Sequence, residues 1–454
     1  MDEIRGRCLD PTRWRRAVAS CLCLLILGAV AFGAQGEDDD GTAAAERYLG
    51  VKTCAGSTCH GAGGTGSDSR VLQNEFQTWH RKDKHAQAYQ VLLDERGQRI
   101  ARNLGIENPG AAPECLGCHA TFVPVDKRGK RFALSDGVGC ETCHGPASRW
   151  LGQHVTGEAS RAENIAVGMY PTEEPAARAE LCLSCHLGTP DRFATHRLMG
   201  AGHPRLSFEL DTFTRIQPAH FRIDADYRAR KRVASGMQVW AIGQVLAAQR
   251  FIDILLSDRH GGTGAFPEFA FFDCHACHHA FTEPRWQPRP GMALPPGTPH
   301  LNDSSLLMLT TLMRHVDEAI AARLGDAVGA LHRASTQSMA DTRTAAGALH
   351  GVLGEVEGRI KAANFAPADM TAVLRGLVET GISGEFRDFA AAEQSVMAIA
   401  ALVDALAAAD ALDEARRTAL GSHIDSLYAA TADQNRYAPA QLIGELESLK
   451  TALD

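Results

Sequence analysis

Aromatic residues are scarce in this 454-residue chain: 17 Phe, 6 Tyr and 5 Trp, 6% in all. Such side chains dominate the interior of many domains, so something else must fill much of this one. A strong charge bias is missing too. With 46 Lys+Arg against 54 Asp+Glu, the formal charge of −8 leaves no basic footprint for nucleic acid. Beyond residue 34 no segment reads as long and apolar enough to span a membrane. Cysteine is absent after Cys277, which excludes disulfides and thiolate metal sites from the C-terminal third. What is left is a globular composition, long enough for two or three domains.

Thirteen cysteines are present. Cys8, Cys21 and Cys23 lie in the leader, and the other ten form five pairs. A histidine follows each pair at once: His60, His119, His144, His186 and His278. Zinc ribbons need two C-x-x-C halves per metal and place no fixed histidine after each. Disulfides do not constrain the next residue either. With His at about 4% of residues, its chance occurrence after all five pairs is on the order of one in ten million. The pattern is the attachment signature of c-type haem. Two thiolates add across the porphyrin's vinyl groups, their spacing set by one helical turn, and the adjacent imidazole falls under the iron as axial ligand.

The leader sets the compartment. Arg13, Arg15 and Arg16 precede an apolar run from Ala17 to Ala34, with a small-x-small cleavage site at Ala31-Phe32-Gly33. That reads as a secretory signal peptide over 1–34, although the run is also near the length of an uncleaved anchor. Covalent haem is attached outside the cytoplasmic membrane of bacteria, so the mature protein is expected in the periplasm, with a membrane partner only if the leader is retained.

After the acidic stretch Glu37 to Asp40, the first site reads Cys54-Ala-Gly-Ser-Thr-Cys59-His60, with four residues between the cysteines. A disulfide beside a surface histidine is the alternative there. Haem c is therefore expected five times, or four if Cys54 and Cys59 hold none. A helix is predicted from Val71 into Leu93, carrying Trp79 and the ligand candidates His80 and His85. The next sites are Cys115-Leu-Gly-Cys118-His119, Cys140-Glu-Thr-Cys143-His144 and Cys182-Leu-Ser-Cys185-His186. His154 follows the third site by ten residues, on a separate element. Gly200-Ala-Gly-His203-Pro204 sets His203 in a tight turn whose backbone can aim an imidazole; His196 lies nearby. Lys127, Arg128, Lys130 and Arg131 form a positive cluster, either a solvated loop or a patch suited to an acidic partner or to haem propionates.

Over roughly residues 47–210 the chain resembles the cytochrome c-554 family of tetrahaem electron carriers. The likeness rests on Trp79 and His85-Ala-Gln-Ala, then CLGCH, then GVGCETCHGP with a histidine ten residues after the haem histidine, then CLSCH. The resemblance implies that His154 pairs with His60 and His85 with His144, and that the iron on His119 faces an open position. The family's distal ligand for its fourth haem has no match here, and the wide spacing at Cys54 and Cys59 departs from the pattern.

Beyond His203 the likeness fades. Met237 to Ser257 reads as an amphipathic helix. Phe272 to His279 then holds a fifth attachment site at Cys274, Cys277 and His278, with His260, His220 or a histidine of the preceding sites as distal partner. Glu283 to His300 carries six prolines and two glycines, a semi-rigid connector. From 301 the chain is rich in Ala and Leu at helical spacing, with Asn302, Asp303 and Ser304 as N-cap candidates. Five or six helices are predicted there, packed as a bundle. Charge divides between the halves: residues 51–150 hold 13 Lys+Arg against 10 Asp+Glu, and residues 301–454 hold 12 against 21. His315, His332 and His350 have no carboxylate or thiol partner in helical register, so the bundle is expected to be structural.

The expected fold is mainly α, a loop-rich multihaem cytochrome module over 35–282 followed, after a linker at 283–300, by an α-helical bundle over 301–454. Five porphyrins within about 230 residues would themselves form much of the core of that module, which makes a conducting array. Periplasmic electron transfer between redox partner proteins is the expected function. A haem reductase or oxidase of a small nitrogen or sulfur compound, working at a five-coordinate iron, is the alternative from another class. A subunit docked into a larger redox complex through the bundle is a third.

Overall fold

The computed structural model describes residues 46–63, 71–262, 267–279, 289–292 and 294–454. The leader, the acidic stretch at 37–40 and residues 283–288 and 293 of the Pro-rich connector lie outside the described residues.

The chain is mainly helical, and its C-terminal part is a stack of seven helices: Ser304–Val316, Glu318–Ser335, Met339–Ala362, Pro367–Ile382, Phe389–Ala408, Glu414–Ala430 and Pro439–Leu453. Their starts are written in the sequence. Asp317, Ser338 and Asp413 each accept a first-turn backbone N–H on the side chain, and Pro367 and Pro439 open helices where a missing N–H costs nothing. The number exceeds the five or six expected, because short breaks at Asp317 and at 363–366 split long Ala-rich runs. Leu309, Leu324, Leu353, Leu374, Leu402 and Leu446 are fully buried among these helices. Each contributes about 1.5–3 kcal/mol by leaving water.

One further helix, Gly236–Leu256, joins this stack from the preceding part of the chain. It is capped by Ser235, which accepts from Gln238 N. It packs against Met339–Ala362 and Ser304–Val316 on one side and against Pro175–His186 on the other. Trp240 and Ile252 are fully buried, and the helix is apolar on nearly every side, not amphipathic as its spacing suggested. A single hydrophobic core thus runs from Ala179 to Leu453. Gly236–Leu256 and Phe389–Ala408 are both long and apolar enough to cross a membrane, contrary to the expectation that no segment beyond the leader is. Their apolar windows are 67% and 78% buried within the protein, as in core helices.

Residues 289–303 tie the connector to this core through a buried ionic cluster. Arg289 donates to Asp303 and, at 3.0 Å, to Asp388. His332 Nε2 lies 2.9 Å from Asp303, and His300 Nε2 lies 2.9 Å from Asp388. Asp303 therefore starts its helix with the side chain turned away from capping, while Asn302 accepts from Ser304 N.

The N-terminal part, from Glu46 to about His220, consists of short helices and turns. The helix expected over 71–93 breaks at Asp83 into Glu75–Lys82 and two single turns, Lys84–Gln87 and Gln90–Leu92. The Asp83 carboxylate takes the His85 N–H, a local bond that competes with continuing the helix. Glu141 is a second organiser. Its buried carboxylate accepts from Leu49 N, Gly50 N and Ala147 N at 2.7–2.8 Å, fastening the first helix of the module, Val51–Cys54, to Cys140–His144.

Candidate functional site

Each C-x-x-C-H of the family-like stretch lies on helix. Cys115, Cys118 and His119 fall on Pro113–His119, Cys140 to His144 form their own short helix, and Cys182 to His186 end Pro175–His186. Residues three apart on a helix share one face, so each thiol pair and its histidine point to one side. Gly145, at φ 80°, follows His144 because the chain must turn where a Cβ would meet the carbonyl oxygen of Gly168 at 2.5 Å. At the wide site, Cys54 closes Val51–Cys54, and the four intervening residues loop out through the bond from Cys59 N to Gly56 O. His60 N then returns to Cys54 O. The fifth site sits on a single turn, Cys274–Ala276, whose start is capped by Asp273. No disulfide joins any of these ten cysteines.

Every one of these five histidines faces a second imidazole. The ring centroids of His60 and His154 are 6.1 Å apart, those of His119 and His203 6.4 Å, and those of His144 and His220 6.1 Å. His186 faces His85 at 6.1 Å, and His278 faces His196 at 6.0 Å. Two metal–imidazole bonds of about 2 Å each, together with the half-widths of two five-membered rings, put centroids about 6 Å apart. Each pair therefore has room for one metal ion between its nitrogens, and the donor set fits the iron of haem c.

Second contacts leave the outer nitrogens free for that task. His60 Nδ1 donates to Glu75 at 3.0 Å and His85 Nδ1 to Asp83 at 2.9 Å. His119 Nδ1 donates to Ala88 O and His203 Nδ1 to Pro204 O, both at 2.8 Å. A histidine bonded at Nδ1 is fixed in ring orientation and presents Nε2, the arrangement usual for metal-bound imidazole. Burial pushes His144 down to about 3 and His186 down to about 4, which keeps both neutral, as ligation requires. Burial opposes the charge on Asp83 as well, but hydrogen bonds from His85 and Gln217 outweigh it and hold that carboxyl at about 2.

The pairing differs from the one the resemblance implied in two places. His85 faces His186, and the partner of His144 is His220, which reaches it from the loop after Leu210–Ile216. The open side implied for His119 is occupied by His203, aimed by the turn at Gly202 with φ 113°. His154 faces His60 as implied. Of the candidates for the fifth site, neither His260 nor His220 is used; His196, at the start of the helix His196–Gly200, faces His278. His80 is exposed and stacks on Phe76. Reading the sequence missed His220 and His196 as partners of particular sites, because a lone distal histidine carries no spacing signal. It missed Asp83 and Glu75 as well, whose roles depend on folds of the backbone.

The sites are close to one another. Val51–Cys54 packs on Cys140–His144, and Cys185 Sγ lies 4.0 Å from the carbonyl oxygen of Gly117, the neighbour of Cys118. The charges of Cys182 and Cys185 also bear on Cys143, whose thiol is pushed up to about 12, mainly by burial.

No curated protein and no solved structure matches the chain. The family described as cytochrome c554 and c-prime matches residues 53–145, which run from the first attachment site through the third. That match implies haem c as the cofactor, in keeping with the paired thiols and facing imidazoles. Over residues 53–145 the chain is similar to the cytochrome c554 and c-prime family, which supports a c-type cytochrome.

Proposed function

We propose that the protein is a pentahaem cytochrome c that relays electrons in the periplasm, with every iron held by two histidines. One observation carries this reading: each of the five histidines that follow a cysteine pair faces another imidazole at 6.0–6.4 Å. In this reading the thioethers form on Cys54 and Cys59, Cys115 and Cys118, Cys140 and Cys143, Cys182 and Cys185, and Cys274 and Cys277. Each iron would be held by one histidine pair: His60 with His154, His119 with His203, His144 with His220, His186 with His85, and His278 with His196.

Haem c supplies one-electron exchange between ferric and ferrous iron. The chain's part is to fix the imidazoles, tune their basicity and keep the sites close. Glu75 and Asp83 make His60 and His85 stronger donors, which favours the oxidised state at their irons. Backbone carbonyls do the same more weakly for His119 and His203. An imidazole on both sides closes each iron to substrate, which favours a carrier over a catalyst. The signal-like leader and the extracytoplasmic chemistry of haem attachment support the periplasm. The pyridine haemochrome assay of purified protein, combined with mass analysis of haem peptides, tests the count. Five haems, one of them on the Cys54 to His60 peptide, are expected; four, with Cys54 and Cys59 free or disulfide-linked, would remove the wide-spaced site.

A further inference from the structure

Beside Cys274 lies a chamber that is partly open to solvent. Its walls come from both parts of the chain. Phe193 and Met199 flank the helix start that carries His196, and Cys274 belongs to the fifth attachment site. Phe389 and Gln434 come from the C-terminal helices. A group bonded to Cys274 must lie within one bond of its sulfur, and so would stand against this wall. Arg205 is the one guanidinium or ammonium group among the described residues lining the chamber.

Arg205 is held from the bundle side. Its Nη2 donates to Glu393 at 2.8 Å, Ser207 Oγ donates to the same carboxylate oxygen at 2.6 Å, and the guanidinium stands 5.3 Å over the Phe389 ring. Phe389 and Glu393 lie on the first turns of Phe389–Ala408. None of these contacts is needed to pair His278 with His196, and the packing of the bundle core does not call for a guanidinium at its edge. A fixed cation beside a haem stabilises the added electron, and a fixed anion opposes it. A guanidinium also suits a carboxylate of the kind that a porphyrin carries as propionate.

We propose that the C-terminal bundle is the second wall of the fifth haem's chamber and that Arg205 and Glu393 set the potential of that haem, with Arg205 as a positioning residue for its propionate. This rests on the pentahaem reading above. The bundle is then part of a redox site as well as a support, which gives the chain a reason to share one core across the connector.

Spectroelectrochemical titration of the full-length holoprotein tests it, with a Cys274→Ala, Cys277→Ala double variant identifying the fifth couple by its absence. Arg205→Gln is expected to move that one midpoint down, Glu393→Gln to move it up, and Arg205→Lys to return it close to the wild-type value. The other four midpoints should stay in place. Selective loss of the fifth haem from Arg205→Gln would support the anchoring role, provided that Glu393→Gln still shifts upward. An unmoved fifth midpoint in both charge variants, or a shift of the same sign in both, overturns the proposal. If the wild-type protein carries no haem on Cys274 and Cys277, the pentahaem reading itself has failed; five haems with an unmoved midpoint sink this proposal alone.

Discussion

The rings of His119 and His203 stand with their planes at 90° and their centroids 6.4 Å apart. Each is fixed from behind by a backbone carbonyl, that of Ala88 for His119 and that of Pro204 for His203. The histidine for which a likeness to tetrahaem carriers implied an open iron is therefore faced by a second imidazole from a neighbouring turn. His203→Ala should create one high-spin iron, and that variant alone should take up cyanide when oxidised or nitric oxide when reduced. Electron paramagnetic resonance and ligand titration check it. Equal ligand uptake before and after the substitution would show that His203 is no ligand.

Asp83 gives a pH signature. Its folded-state value of about 2 lies below the ordinary 3.8, so its contribution to stability is complete above about pH 4 and is lost as pH falls toward 2. The contribution is about 2 kcal/mol. Asp83→Asn should flatten this part of the curve of urea stability against pH. It should also raise the midpoint of one haem, since His85 loses the carboxylate that makes it a better donor.

Glu141 should be among the costliest residues of the N-terminal part to replace. Glu141→Ala leaves three N–H groups, those of Leu49, Gly50 and Ala147, without their acceptor. At about 1–3 kcal/mol per unsatisfied group, a loss of about 3 kcal/mol or more is expected. Chemical denaturation followed in the Soret band measures it.

The buried cluster around Arg289 makes a parallel case in the C-terminal part. Arg289→Leu leaves Asp303, Asp388 and Glu385 without their shared cation. Breaking a buried pair from one side costs about 3–5 kcal/mol, so the thermal midpoint should fall by several degrees. A drop within the error of the melting curve would show that water or protonation replaces the guanidinium.

What could be read from the chain was whatever a local pattern encodes. The cysteine pairs with their histidines and the apolar spacing of the bundle are short-range signals. His154 was readable through the resemblance, because its offset from His144 is part of the motif. His220 and His196 were not, since their roles arise when a loop and a helix start fold back over sites many residues away. The acid partners of His332 and His350 were hidden for the same reason: Asp303 and Asp253 reach them from other helices, outside any helical register. The shared core of Gly236–Leu256 with the bundle was obscured by the prolines at 284–299, which suggest a boundary in sequence where packing draws none.

The account's central claim is that two histidines hold every iron. Electron paramagnetic resonance of the oxidised, full-length protein tests it most directly, because spin state reports the sixth ligand. Five low-spin signals, integrating to five irons per chain and unchanged by cyanide, are the expected result. A high-spin signal integrating to one or more irons per chain would contradict it.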